Sequence, residues 1–315
     1  MTATQPELFS FANPEAPQRP APPALTAQSP LSAALAPFEE HERRRELSAN
    51  TIRCFRSDLR LLVDYLGEET PLGELTADRL VDFLLYLQEE RDAPCSPKSL
   101  HRRVTALKAF FGWLADEGVL PHDPAAALAR EAVDSPLPHA LSEAELERLL
   151  AVTRSMRDAA DAPDARPHLL VQLLLDTAIK KSECLGILLN QIDLSDPSQP
   201  SVYIHYERPR QRFKSRRLAL SAEFVATLPI YLRRYEPRAH LFECTGRNLE
   251  YVLHTLSLLA ALAQPLTFET LRWTSALRSF KAGADPEHLR RRLGVAQITW
   301  RSTLAVLQTL AAGPL

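Results

Sequence analysis

The chain of 315 residues is 45% hydrophobic and 24% charged, with a formal net charge of −2, a composition typical of a globular protein large enough for two domains. Its four cysteines lie at least 41 positions apart, which excludes a disulfide framework and the close cysteine pairs of a zinc site, so we expect reduced cysteines and neither a metal nor a cofactor. The chain lacks both an apolar stretch of the roughly 20 residues that span a membrane and the basic-then-apolar layout of a signal peptide, so we expect a cytoplasmic protein.

The first third of the chain predicts a tail followed by a helical domain. Residues 1–35 are rich in Pro, Ala, Gln and Ser and show little apolar periodicity, which favours a disordered tail. Apolar spacing over 36–130 predicts four or five helices, with clear examples near 48–66, 76–88 and 99–114. Ser48 is the predicted N-cap of the first of these three. We therefore predict a small all-helical bundle.

A linker and a second domain follow. Residues 131–141 contain prolines and predict the linker, and Ser142 with Glu145 then forms a capping-box motif that opens a helix over 142–155. Further helices are predicted near 167–178 and 180–189, a β-hairpin over 201–220, and helices from there to the end. The second domain, 142–315, is thus predicted to be α+β, and the whole chain mainly α with a small β-sheet.

The tip of the predicted hairpin is strongly basic. Basic side chains outnumber acidic ones by 17 to 8 in residues 201–315, whereas the counts are 13 to 17 in residues 36–130 and 6 to 12 in residues 131–200. Residues 208–217 contain six basic side chains, whereas Glu207 is the single acidic residue of the predicted hairpin. The six are Arg208, Arg210, Arg212, Lys214, Arg216 and Arg217. Because local fields govern the binding of a polyanion, this cluster favours phosphate binding, the alternative being a solvated loop.

Three motifs in the first domain resemble those of tyrosine recombinases, the phage integrase and Xer-type family. Residues 47–52 (LSANTI) resemble the family's L-S-x-N-T opening, residues 99–111 (SLHRRVTALKAFF) its helix along DNA, and residues 123–124 (DP) its N-P approach to the linker. The resemblance implies a SAM-like core-binding domain that contacts DNA. Its candidate DNA contacts are Arg102, Arg103 and Lys108.

Two motifs in the second domain resemble the family's catalytic boxes. Residues 174–187 (LLDTAIKKSECLGI) resemble T-G-L-R-x-S-E-L-L-x-L, and residues 266–273 (LTFETLRW) resemble T-P-H-x-L-R-H. The resemblance places Lys180 at the first catalytic arginine and Glu269 at a histidine, and keeps Arg272 as the second arginine. It also implies that the basic hairpin lies where the family's catalytic lysine enters the minor groove, with Lys214 the nearest lysine.

The last motif carries the largest departure from the family. Residues 293–295 (LGV) stand for L-G-H, which places Val295 at a second histidine, and nine residues later Leu304 occupies the position of the nucleophilic tyrosine. The chain has no tyrosine after Tyr251. Leucine has no lone pair with which to attack a phosphodiester, so no phosphotyrosine is expected at this position. Val295 and Leu304 are also ordinary core-filling residues.

The other replacements remove chemistry as well. Lys180 offers a point charge, but not the guanidinium fork that grips two phosphate oxygens. Glu269 would set a negative charge beside the scissile phosphate, although an acid there also suits the first turn of a helix. Arg272 is left as a phosphate contact, or as the partner of Glu183 or Glu269 in an ion pair.

The resemblance therefore implies a catalytically degenerate recombinase-like clamp that binds duplex DNA, is associated with the nucleoid, and neither cuts nor rejoins strands. The cluster of Arg290, Arg291 and Arg292 extends its candidate DNA surface. One alternative is an active site-specific recombinase with a displaced nucleophile, for which the candidates are Ser302, Thr303, Tyr231, Tyr235 and Tyr251. Another is a protein-interaction module, in which the C-terminal helix binds a second copy or an active recombinase.

Overall fold

The computed structural model describes residues 24–91, 94–129 and 136–313, apart from the side chain of Arg210. The chain forms two structural units, Met1–Ser135 and Pro136–Leu315. Within the described residues the structure is mainly helical with one small β-sheet, which confirms the predicted fold class. None of the described helices combines the length and apolar character that a membrane span requires.

The described part of the first unit contains four α-helices, and local capping sets the start of three of them. The four are α1 (Leu31–Arg44), α2 (Ala49–Leu66), α3 (Ala77–Leu85), which continues into a π-turn over Tyr86–Glu90, and α4 (Pro97–Asp116). The side chains of Ser48, Thr76 and Ser96 each accept a hydrogen bond from the backbone N–H three residues on. The predicted cap at Ser48 is therefore confirmed.

The folded part of the first unit begins earlier than predicted. Leu31, Ala34 and Phe38 of α1 are buried at spacings of three and four residues and pack into the core of this unit. The Leu31 N–H donates to the carbonyl of Thr70 at 2.8 Å, which fixes the start of the helix. The predicted tail boundary at residue 35 is wrong, because this short apolar stripe is hidden in an Ala- and Pro-rich context. Residues 1–23 lie outside the described residues.

The second unit is built around a buried helix. Its α-helices are α5 (Glu143–Arg157), α6 (Arg166–Thr177), α7 (Lys181–Leu185), α8 (Ala222–Tyr235), α9 (Gly246–Leu259), α10 (Phe268–Lys281), α11 (Pro286–Leu293) and α12 (Gln297–Ala312). Every residue from Pro167 to Leu174 is buried, so all sides of α6 are covered. The capping box at Ser142 is present, as predicted.

The end of the predicted linker belongs to this second unit. Ala140 and Leu141 are buried, and the Leu141 N–H donates to Thr274 Oγ1 at 2.9 Å. The packed chain therefore starts before residue 142, because two apolar side chains at the end of the linker find a place in the core.

The sheet supports the basic loop. Strands β1 (Ile192–Asp193), β2 (Ser201–Ile204) and β3 (Arg216–Ala219) are antiparallel in the order β1-β2-β3. Val202 lies opposite Leu218, and both are buried. The predicted hairpin is thus present, with a 3-10 helix over Pro209–Lys214 at its tip. Strand β1 was not predicted, since two residues are too short to show an alternating pattern.

Candidate nucleic-acid interface

Glu183 on α7 lies at the centre of a polar pocket in the second unit. Its carboxylate accepts hydrogen bonds from the Tyr206 hydroxyl at 2.7 Å, from Arg216 Nη1 and Nη2 at 2.8 and 3.1 Å, and from the Lys180 N–H at 2.8 Å. Burial alone would raise the pKa of Glu183, but these donors, above all Arg216, hold it at about 2. The charged carboxylate thereby fastens both limbs of the hairpin to α7.

Arg216 is consumed by this anchorage. Its side chain is only 8% exposed, and its Nε also donates to the carbonyl of Arg292 at 2.7 Å. Gly294 ends α11 with φ +58°, where a Cβ atom would lie 2.7 Å from Arg216 Nη1, so only glycine leaves room for the guanidinium. The prediction that Arg216 contacts DNA conflicts with this burial, because Glu183 needs its counter-charge inside the protein.

Arg272 on α10 is held by backbone carbonyls instead of a carboxylate. Its Nη1 donates to the carbonyl of Ala178, the left-handed residue that ends α6, and its Nη2 donates to that of Leu293 at 2.6 Å. Burial lowers the pKa of Arg272 to about 10. Neither suggested ion-pair partner is used, because Glu183 binds Arg216 and Glu269 accepts from Trp273 Nε1 at 3.4 Å. The remaining N–H groups of the guanidinium have no hydrogen-bond partner among the described residues.

Lys180 and Lys214 add charge to the same pocket. Lys180 is half-buried before α7, and burial lowers its pKa; Glu183 opposes that shift, whereas the neighbouring Arg272, Lys214 and Arg216 add to it. Four cations therefore act on one another around a single carboxylate. Such an excess of positive charge in a partly desolvated pocket attracts a phosphate group.

The position of the expected nucleophile is apolar. Leu304 on α12 and Val295 pack, half-buried, against a core cluster that includes Trp300 and Leu307. Glu269 is exposed in the first turn of α10, beyond the N-cap Thr267. All three replacements therefore occupy places where they serve packing or helix initiation.

Four of the five alternative nucleophiles suggested by the sequence donate hydrogen bonds within the protein, and the fifth, Tyr251, is exposed. Tyr231 is buried with its hydroxyl on the carbonyl of Leu241 at 2.7 Å, and the Tyr235 hydroxyl donates to Asp164 at 2.9 Å. The Ser302 and Thr303 hydroxyls both donate to the carbonyl of Thr299, at 2.9 and 3.0 Å. Tyr251 is 70% exposed on α9.

Tyr206 contacts Glu183, although its place in the candidate site was not predicted from the sequence. It follows β2 by two residues, and its hydroxyl donates to Glu183. Burial raises its pKa, and the bond to Glu183 raises it further, so the phenol stays protonated and is a poor nucleophile. The only feature of the sequence that could have indicated this role is the position of the tyrosine at the end of a predicted hairpin strand.

The hairpin cations divide into paired and solvent-facing groups. Arg217 Nη1 donates to Asp193 Oδ2 at 2.7 Å. Arg208 and Arg212 are exposed, and neither they nor the half-buried Lys214 makes an ion pair among the described residues. Lys214 Nζ lies over the rings of Tyr206 and Phe213 and close enough to Lys180 to lower its pKa. The side chain of Arg210 lies outside the described residues. The solvent-facing charge is therefore smaller than the six cations counted in the sequence.

The arginines of α11 are partly neutralised. Glu287 accepts from Arg290 at 2.6 and 2.7 Å and from Arg291 at 2.9 Å, and these bonds hold its pKa at about 2. Arg290 also donates to the carbonyl of Val295 at 2.8 Å, while the side chain of Arg291 stays largely exposed. Arg292 is half-buried and donates to the carbonyl of Asp176 at 2.7 Å, which conflicts with its predicted role on the DNA surface. Arg291 is thus the most available of the three for phosphate.

The candidate DNA contacts of the first unit also differ in how far they are buried or already paired within the protein. Asp58 is buried, its pKa is raised by burial, and Arg102 and Arg103 oppose that shift. Arg102 donates to Asp58 Oδ2 with its side chain 40% exposed, whereas Arg103 is buried, 3.5 Å from Asp58 Oδ1. Lys108 is half-buried, and its Nζ donates to the carbonyl of Ala126 at 3.0 Å. The predicted DNA contact at Arg103 conflicts with its burial, since Asp58 requires a charge beside it.

Two exposed arginines in the first unit were not selected from the sequence. Arg53 and Arg60 lie seven positions apart on α2, on the same face of the helix, and neither has an ion-pair partner among the described residues. Their seven-residue spacing was the available signal.

Comparison with known proteins relates both units to recombinases. Residues 38–118 match the family described as "Phage integrase, N-terminal SAM-like domain". The tyrosine recombinase XerD of Listeria monocytogenes is 24% identical over 272 residues, covering 81% of this chain and 87% of the relative. The XerC of Mycobacterium sp. strain JLS is 27% identical over 290 residues, covering 88% and 93%. The XerC of Roseiflexus sp. strain RS-1 is 32% identical, but the match spans about half of each protein, 48% of this chain and 47% of the relative.

Solved structures show the same fold. The XerH recombinase bound to palindromic difH substrate, a post-cleavage complex, superposes with a TM-score of 0.70 at 15% identity, covering 91% of this chain and 96% of XerH. The lambda integrase dimer bound to a COC′ core site gives 0.66 at 16% identity, covering 87% and 76%. Together with the relatives and the matched domain, they show that the chain is similar to tyrosine recombinases, in sequence over most of its length and in fold.

Proposed function

We propose that this protein binds duplex DNA through backbone phosphates and does not cleave it. The observation that carries the proposal is the contrast within the second unit. A cluster of four neighbouring cations, Lys180, Lys214, Arg216 and Arg272, surrounds the single carboxylate of Glu183, while the nucleophile position holds Leu304, packed in an apolar cluster. Attraction for phosphate is therefore kept without an atom at position 304 that could bond to phosphorus.

The solvent-facing cations support the binding half of the proposal. Arg208 and Arg212 are exposed and make no ion pair among the described residues, and the half-buried Lys214 brings a further hairpin charge close to Lys180. Arg291 is also exposed, although it shares the carboxylate of Glu287 with Arg290. Basic side chains that lack protein partners keep their charge available to phosphates, whereas those already paired gain less from a further anion. Because the proposed ligand is duplex DNA, we also propose the nucleoid as the site of action.

The binding half is tested by fluorescence anisotropy with a labelled mixed-sequence duplex over a salt series. Replacing Arg208 and Arg212 with Ala should weaken binding on unrelated sequences and reduce the slope of log affinity against log salt by roughly 2, since each phosphate contact contributes about 0.9. Arg233→Ala with Arg234→Ala on α8 removes the same charge and is the control. An unchanged slope in the hairpin variant contradicts the assignment.

The catalytic half is tested with a nicked suicide duplex, which traps any covalent intermediate on a denaturing gel. We expect no adduct from the native chain. Tyr206→Phe belongs in the same experiment, because Tyr206 is the phenol found in the pocket. An adduct that disappears in Tyr206→Phe overturns the proposal and identifies a displaced nucleophile, and an adduct that survives overturns it through another residue.

A role for the C-terminal helix in binding a second protein finds less support. Leu307 is fully buried and Leu304 and Leu310 are half-buried, all against the core of their own unit. This packing uses the apolar face that would otherwise dock onto a partner. We therefore limit the proposed partner to duplex DNA.

A further inference from the structure

Phe213 at the tip of the hairpin is a large aromatic side chain directed to solvent. It is 59% exposed, although most phenylalanines of the described chain are buried. Exposing a phenylalanine side chain forgoes most of the hydrophobic gain that burying it would give. An exposed apolar ring among cations therefore suggests a ligand that has both an apolar surface to cover the ring and negative charges to bind the cations.

The tip that carries Phe213 is locally ordered. It forms the 3-10 helix over Pro209–Lys214, closed by the Gln211 N–H on the carbonyl of Arg208 at 2.8 Å and the Ser215 N–H on that of Arg212 at 2.9 Å. The Tyr206 N–H also donates to Ser215 Oγ at 3.0 Å across the base of the loop. A structured tip presents its side chains with little entropic cost on binding.

The charges around the ring match a nucleic acid. Lys214 Nζ lies 5.5 Å from the centroid of the Phe213 ring and 5.7 Å from that of Tyr206, so a cation–π contact helps to orient the aromatic side chain. Arg212 precedes the ring and is exposed, as is Arg208 before the tip. Cations on both sides of an apolar ring complement phosphates on both sides of a base step.

We propose that Phe213 is a wedge that enters a base step of duplex DNA and partly unstacks it while the flanking cations bind the phosphates. The inference rests on the proposed DNA binding and adds deformation of the duplex to it. Apolar side chains inserted in this way unstack and kink DNA, and the cost is met by additional contacts. The wedge is independent of base identity, as the phosphate contacts are.

The test uses a nicked plasmid sealed by DNA ligase with the protein bound, followed by removal of the protein and separation of topoisomers. Unstacking a step unwinds the helix, so the native chain should leave negatively supercoiled products in proportion to the protein bound. Phe213→Ala should abolish this shift at equal occupancy, and Phe213→Trp should retain it. Tyr251→Ala, which removes an aromatic of similar exposure on α9, should match the native chain.

Affinity measurements separate the wedge from the phosphate contacts. Phe213→Ala should weaken duplex binding about tenfold. The salt slope should stay unchanged because no charge is lost, in contrast to the variant lacking Arg208 and Arg212. If the native chain binds duplex but Phe213→Ala has the same affinity and topoisomers, the wedge is refuted and DNA binding stands. Tighter, Phe213-dependent binding to single strands without unwinding also refutes it, and absence of any DNA binding refutes both proposals.

Discussion

Replacing Glu183 with Gln tests whether the buried carboxylate holds the hairpin in place. The change keeps the size of the side chain but removes its charge. Arg216, only 8% exposed, then loses its counter-charge, and the Tyr206 hydroxyl and the Lys180 N–H lose a charged acceptor. We expect the second unit to be destabilised, with the basic hairpin released first.

The pKa of Glu183 sets the size of the effect. Lowering a carboxyl pKa from 4.5 to about 2 corresponds to about 3 kcal/mol of stability at neutral pH. Breaking a buried ion pair by removing one partner typically costs about 3–5 kcal/mol, which agrees in size. Because the pKa is depressed in the folded state, this stability is fully present above about pH 4.5 and is lost as the pH falls towards 2. The difference between the native chain and Glu183→Gln should narrow over that window.

Unfolding in urea is monitored by hydrogen exchange. Peptides from α6 report the unfolding of the second unit, and peptides from the hairpin report its local release. Glu250→Gln is the matched control, because Glu250 pairs with Lys181 at 2.6 Å but both side chains are about half exposed. Such a surface pair contributes under about 1 kcal/mol. If Glu183→Gln costs no more than Glu250→Gln at pH 7, the reasoning about this anchor is wrong.

Three further predictions concern other parts of the second unit. His168 is fully buried on α6, and burial lowers its pKa, so the stability of the native chain should fall as the pH drops below about 6.5. The difference between the unfolding temperatures at pH 8 and pH 5.5 should therefore be smaller in His168→Gln than in the native chain. Gly294→Ala should cost about 1–2 kcal/mol for its left-handed backbone, plus the displacement of Arg216, in chemical unfolding; Gly283→Ala, with φ +80° and open space around it, should show only the backbone cost. Leu304→Tyr should give no covalent adduct on a nicked duplex, since the other catalytic positions remain replaced; an adduct would show that the pocket is still competent.

Helix positions were largely predictable because the signals that set them are local. The cap at Ser48 and the capping box of Ser142 with Glu145 act within one turn, and the structure has both. The start of α1 was missed because it depends on distant chain: the Leu31 N–H donates to the carbonyl of Thr70, and Leu31 and Ala34 are buried in the core of the first unit. Strand β1 was missed because its two residues acquire a structure only by pairing with β2.

The candidate site could be predicted in kind but not in detail. The loss of the nucleophile is a property of position 304 and needs no structure. The expectation that all six hairpin cations face phosphate could not be tested by counting charges. In the structure Arg216 forms an ion pair with Glu183, and the Tyr206 hydroxyl donates to the same carboxylate, which was not predicted.

The sequence by itself determined the family resemblance, the helical character and the replacement of catalytic side chains, because these follow from residue identity and short-range spacing. Only the tertiary structure decided which cations remain available to a ligand. Glu183 recruits Arg216 across 33 positions, and Asp58 recruits Arg102 across 44. A carboxylate that folding removes from water must take a cation with it, and that cation is chosen by three-dimensional proximity.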